Sequence, residues 1–115
     1  MAKINKNRKK ENIRYKLSQI LQHDSNNPKF EGVTIIELKL SPDASHAVVF
    51  FSVFNSRYQP EEVTKALNSA AGFFQAKLAK TLHSRNTPKL NFVFDTGFDH
   101  ADRIDQIIRE IHSKD

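Results

Sequence analysis

Residues 60–82 read PEEVTKALNSAAGFFQAKLAKTL, and the spacing of their apolar residues decides the class of fold. Val63, Ala66, Leu67 and Ala70 recur at the three- and four-residue steps of a helix that buries one stripe, and Phe74, Leu78 and Leu82 resume that spacing after Gly72. Pro60 suits a first helical position, and Glu61 and Glu62 complement the positive end of the helix dipole. The segment ends before Asn86-Thr87-Pro88, because a residue preceding proline disfavours α geometry. Gly72 therefore lies between two helical segments. Glycine in a helix costs about 1 kcal/mol relative to alanine. The simplest reason to carry it is a kink, with Ala70, Ala71 and Gly72 letting two helices bend and approach a sheet closely.

Strands flank this helical pair. Downstream, Leu90, Phe92 and Phe94 alternate with Asn91, Val93 and Asp95. Upstream, His46 to Phe54 is β-rich, and from Val33 to Leu40 the residues Thr34, Ile36, Leu38 and Leu40 form a nearly pure apolar side. Ser41-Pro42-Asp43-Ala44 between these two strands is a turn sequence, which predicts a hairpin. Further out, Ile13, Leu17, Ile20 and Leu21 predict a first helix from about Lys9 to His23, and Ile104, Ile107, Ile108 and Ile111 a last one. Residues 1–8 read as a disordered, basic arm and 9–115 as one domain. The order α-β-β-α-α-β-α is an α+β domain with helices on one face of a small sheet. The crossover through both middle helices is long enough for the third strand to run parallel to a neighbour, so the sheet is expected to be mixed.

Composition narrows the function. The 115 residues, with 38% hydrophobic and 10% aromatic content but 3 Gly and 4 Pro, suit a single packed core and exclude collagen, coiled coil and wholesale disorder. No apolar run approaches the roughly 20 residues of a membrane helix, and the N-terminus lacks the apolar stretch of a signal peptide. The absence of cysteine removes disulfides, thiolate nucleophiles and Cys-based metal sites, which fits the cytoplasm. The net charge of +5 is unevenly spread: residues 1–16 carry +6, 17–56 −2, 57–89 +4 and 90–115 −3. Two basic blocks against an acidic C-terminal block suggest a phosphate backbone as partner, although solvated helix faces account for the same pattern.

The order αββααβ resembles a type II K-homology fold, and Ala70-Ala71-Gly72 resembles an Ala-x-Gly helix-kink-helix. Ser41-Pro42-Asp43-Ala44-Ser45-His46-Ala47 followed by Val49 is similar to the first hairpin of bacterial ribosome-binding factor A. Asn27-Pro28-Lys29 resembles that family's Asp-Pro-Arg. Leu90 to Asp95, then Asp99, His100, Arg103 and Ile104, resemble its closing strand and the segment leading into a terminal helix. The likeness covers roughly residues 8 to 111, with Asn27 standing where the family usually has Asp and Gly97 where it usually has Ser. It implies a KH-like αββααβ core with a mixed three-stranded sheet, plus a C-terminal helix. It also implies a non-catalytic assembly factor, without cofactor, that binds the maturing small (30S) ribosomal subunit and its 16S rRNA. Such a factor aids late rRNA processing and cold adaptation, acts as a monomer and has ribosomal proteins as candidate neighbours.

The residues that would carry this are cationic. Lys77, Lys80 and Ser84 lie three and four apart, off the Phe74-Leu78-Leu82 stripe, and Arg85 and Lys89 extend the charge into the following loop. Lys6, Arg8, Lys9, Lys10, Arg14 and Lys16 form the N-terminal cluster. Lysine and arginine contact phosphates as charges without reading sequence. No Gly-x-x-Gly is present, so recognition by shape and charge is expected rather than the usual single-strand grip. Phe50, Phe54, Phe92 and Phe94 on strands and Phe74 on a helix read as core. Phe30, Tyr58 and Phe98, near element boundaries, are freer to act at an interface. The five histidines include no helical i, i+4 pair, no Gly-rich phosphate loop is present, and Asp95, Asp99, Asp102 and Asp105 lack the spacing of a calcium loop, so neither catalysis nor a metal site is expected. The rival is a protein-interaction module, or a nonspecific RNA-binding domain, whose open sheet edge or acidic last helix meets a partner.

Overall fold

The computed structural model describes residues 2–23, 26–82 and 87–95, with residues 2–7 described by their backbone alone. In chain order these form α1 (Ala2–His23), a short 3-10 turn (Pro28–Phe30), β1 (Val33–Leu40), β2 (His46–Val53), α2 (Pro60–Ser69), α3 (Ala71–Leu82) and β3 (Lys89–Phe94). β2 is central, antiparallel to β1 and parallel to β3, so the sheet is mixed and the first two strands form the expected hairpin. The C-terminal helix expected around Ile104 to Ile111, together with Arg85, Gly97 and Phe98, falls outside the described residues.

α1 begins at Ala2 instead of near Lys9, so the stretch expected to be a disordered arm is helical. The physical reason is propagation. The turns from Ile13 to Leu21 are nucleated by burial, and Ala2 to Asn12, rich in Lys and Arg and free of Gly and Pro, extend a helix that already exists.

The main core lies between the sheet and the three helices. Ile13, Leu17, Ile20 and Leu21 of α1, Val63 and Leu67 of α2, and Phe74 and Leu78 of α3 meet Ala47, Val49 and Phe51 of β2 and Leu90 and Phe92 of β3. Phe74 is central: its ring centroid is 5.6 Å from those of Phe30, Phe73 and Phe92. Phe30, read from sequence as free for an interface, is thus a core residue, carried inward by the 3-10 turn whose N-cap is Asn27. Asn27 Oδ1 accepts a hydrogen bond from the Lys29 amide at 3.0 Å, so the amide oxygen does the capping an aspartate would do.

Two strand expectations change. In β1, Ile35 pairs with Phe51 and Glu37 with Phe50, so Ile36 is the extra residue of a bulge. The bulge reverses the phase. Val33 and Ile35 face the core before it and Leu38 and Leu40 after it, while Ile36, placed by sequence on the inner side, is 40% exposed. In β2, the strand ends at Val53 and Phe54 is 79% exposed, while Phe50 joins Val48 and Val93 in a second buried cluster separate from the main core. Alternation assigns Phe50 and Phe51 to opposite faces of the sheet.

Side-chain hydrogen bonds seal the ends and edge. Asn68 of α2 donates from Nδ2 to the Phe92 carbonyl (2.9 Å) and accepts at Oδ1 from the Phe92 amide (2.8 Å), satisfying the backbone of β3 on its outer edge. In the hairpin turn, Asp43 Oδ1 accepts from Ser45 Oγ (2.7 Å), the Ser45 amide (3.1 Å) and Ser41 Oγ (2.8 Å). These donors, Ser45 foremost, hold the Asp43 carboxyl well below the usual carboxylate range. Ser41, fully buried, is satisfied because its Oγ also accepts from the His46 amide at 3.1 Å.

Candidate nucleic-acid interface

α3 is amphipathic because Phe74 and Leu78 face the core, which turns the Phe73, Lys77 and Lys80 positions outward. The helix contains no acidic residue, and nor does β3. α1 packs against α3 and supplies Arg8, Lys9, Lys10, Arg14 and Lys16, with Glu11 as its one acid, 3.8 Å from Arg14. Lys6 belongs to the part of α1 described by its backbone alone, so its side chain has no described place.

The fold joins cations that are far apart in sequence. Lys9 of α1 and Lys89 at the start of β3 line one open recess with Asp43, Ala44, Ser45, Gln75 and Thr87. Gln75 Nε2 donates to the Thr87 carbonyl at 3.0 Å, tying α3 to the turn before β3, and the Lys89 amide donates to the Ser45 carbonyl at 3.0 Å. The recess therefore sits where α1, α3, the hairpin turn and β3 converge. Lys77 and Lys80 share the Phe73 face of α3 and lie round the helix from Gln75, outside the recess. Glu31 follows the 3-10 turn, Glu37 belongs to β1, and Glu61 and Glu62 to the first turn of α2, so none of these acids is on α3 or β3.

The helix junction differs from the expectation that Gly72 permits close packing. The bend is at Ala70 (φ −94°, ψ 6°), whose amide donates to the Ala66 and Leu67 carbonyls at 3.1 Å and whose carbonyl accepts from Phe74 at 3.1 Å. Ala70 and Ala71 pack against the core. Gly72 is exposed, and a Cβ placed on it would meet no heavy atom within 4 Å. Neither a positive φ nor a tight contact within the chain accounts for it.

Sequence reasoning missed two aromatic side chains here. Tyr15 and Phe73 are 62% and 45% exposed, with Lys16 Nζ 5.8 Å from the first ring and Lys77 Nζ 5.7 Å from the second. A signal for Phe73 was present, since it precedes Lys77 by four residues and Lys80 by seven and so shares their helix face. Tyr58, expected to be free, is partly buried against the core, with Lys29 Nζ 5.5 Å from its ring.

Residues 5–108 match the family model of ribosome-binding factor A. A ribosome-binding factor A of Hydrogenovibrio crunogenus is 38% identical over 106 residues, which cover 89% of this chain and 88% of that one. The crystal structure of ribosome-binding factor A from Thermus thermophilus superposes with a TM-score of 0.65 at 25% identity, over 74% of this chain and 89% of the other. Coordinates of a Thermus thermophilus ribosome binding factor A fitted into a cryo-EM map of its 30S complex share the fold, with a TM-score of 0.65 at 23% identity over 78% of this chain and 94% of that one. With the helical pair, the mixed sheet and the family match in agreement, the chain belongs to the ribosome-binding factor A family.

Proposed function

We propose that the protein binds the maturing small ribosomal subunit and contacts its 16S rRNA through phosphates, aiding late rRNA processing and maturation. It acts in the cytoplasm as a monomer and performs no catalysis, with ribosomal proteins as neighbours on the particle. The observation that carries this reading is the convergence of Lys9 and Lys89 on one recess, beside Asp43, with Lys77 and Lys80 on a separate outward face of α3, a helix that carries no acid. The relative fitted into a 30S complex supplies the particle. Phosphate contacts anchor and orient without reading sequence, which suits recognition of an RNA surface by shape and charge.

Co-sedimentation with isolated small subunits, large subunits and assembled ribosomes across a salt series tests the reading. Small subunits are expected to bind preferentially, with affinity falling steeply as salt rises. In a Lys77→Gln/Lys80→Gln/Lys89→Gln variant the log–log salt slope is expected to become shallower by about 2 to 3, at roughly 0.7 to 0.9 for each phosphate no longer neutralised. An unchanged slope and affinity would instead favour an apolar protein interface.

Gly72 supplies a second test. Since a side chain there meets open space, Gly72→Ala is expected to stabilise the fold by up to about 1 kcal/mol, read as a higher denaturation midpoint. The same variant is expected to bind small subunits more weakly, because the bare backbone then serves the approach of an RNA strand rather than the fold. A stabilised variant that binds as well as the parent assigns Gly72 no part in the contact.

A further inference from the structure

The exposed ring of Phe73 has no role in the small-subunit reading, which uses charge alone. Its position is specific. It stands one residue after Gly72, where no side chain obstructs approach, and Lys77 follows one turn later with Nζ 5.7 Å from the ring centroid. From within, Phe74 holds it edge-on at 5.6 Å. The ring is 45% exposed, with Phe74 against it on one side and a cation near its face.

We propose that Phe73 is a stacking platform for one unpaired base of the RNA, with Lys77 meeting the phosphate beside it. Every base offers a π face, so such a platform takes any single-stranded nucleotide, and the cation fixes the strand alongside it. The inference rests on the small-subunit reading and deepens it: one base splayed from the RNA would dock next to a contact otherwise made by charge. Tyr15 with Lys16 repeats the pairing of ring and cation on α1, the helix packed against α3.

The chain has no tryptophan, so Phe73→Trp places a single indole at the site. Titration of this variant with a short single-stranded RNA oligonucleotide is expected to quench its fluorescence, and a blunt duplex of equal length to do so far less. Absence of quenching by the single strand overturns the proposal, whatever the subunits do. On small subunits, Phe73→Leu is expected to bind about 5- to 10-fold more weakly with the salt slope unchanged, the size of one modest base stack, while Phe73→Tyr retains affinity. If leucine serves as well as phenylalanine, the residue is an apolar anchor for a protein neighbour and the stack is wrong. If instead the parent chain fails to bind small subunits while the indole is still quenched by single strands, the small-subunit reading fails and the platform stands.

Discussion

Phe74→Ala is expected to lower the free energy of unfolding by about 3 to 5 kcal/mol, the range for deleting a phenylalanine from a packed interior. The side chain is fully buried. It joins three parts of the molecule, since its ring touches Phe30 of the 3-10 turn, Phe73 of its own helix and Phe92 of β3, each at 5.6 Å between centroids. Removing it withdraws the edge contacts as well as the buried area and leaves a void that the sheet and helix cannot both close. Urea unfolding followed by circular dichroism measures the loss. A change below about 1.5 kcal/mol would mean that α3 collapses onto the sheet and that Phe74 is not the centre of this core. Phe73→Leu, one residue away on the exposed side, is expected to change stability far less, so the two variants separate the core from the surface of the same helix.

Gly32→Ala is expected to be nearly as severe, with a loss above about 2 kcal/mol, since the left-handed region alone costs an L-residue roughly 1 to 2 kcal/mol. Gly32 has φ +79°, and a Cβ there would be driven into the Phe54 carbonyl oxygen. The obstacle is backbone, not the end of a flexible side chain, and Gly32 is itself held there because its carbonyl accepts from the Phe54 amide at 2.9 Å. Relief of the clash requires the end of the β1–β2 pair to open. Hydrogen exchange at the Phe54 amide should therefore accelerate along with the fall in the denaturation midpoint. A variant as stable as the parent with an unchanged Phe54 amide would show that this turn has another conformation at no cost. Gly72→Ala changes the same residue type with the opposite expected sign, because there the added methyl meets only solvent.

Much of the architecture was legible because helix and strand periodicities are local. Ile13, Leu17, Ile20 and Leu21 announced α1, and Phe74 and Leu78 announced α3, and all six are buried. The length of the crossover between β2 and β3 gave the parallel pairing. Errors arose where one residue changes the phase or where an element has no periodicity. The bulge at Ile36 turned the expected inner side outward, and the 3-10 turn was too short to carry a pattern, so the burial of Phe30 was missed. Of the site, the charge of Lys77, Lys80 and Lys89 was readable, but the exposed Phe73 was overlooked beside the buried Phe74, although its spacing to Lys77 places it on the cationic face.

The sequence by itself determined the three helices and three strands of the described residues, their order and the side of each helix that is buried, since apolar spacing reports the face an element hides. Only the tertiary structure decided what lies opposite each face. It brought Lys9 and Lys89 to one recess, gave Gly32 a carbonyl to avoid and left Gly72 facing open space. These are relations between parts remote in the chain, fixed by how the helices settle on a bulged sheet, and no local pattern encodes them.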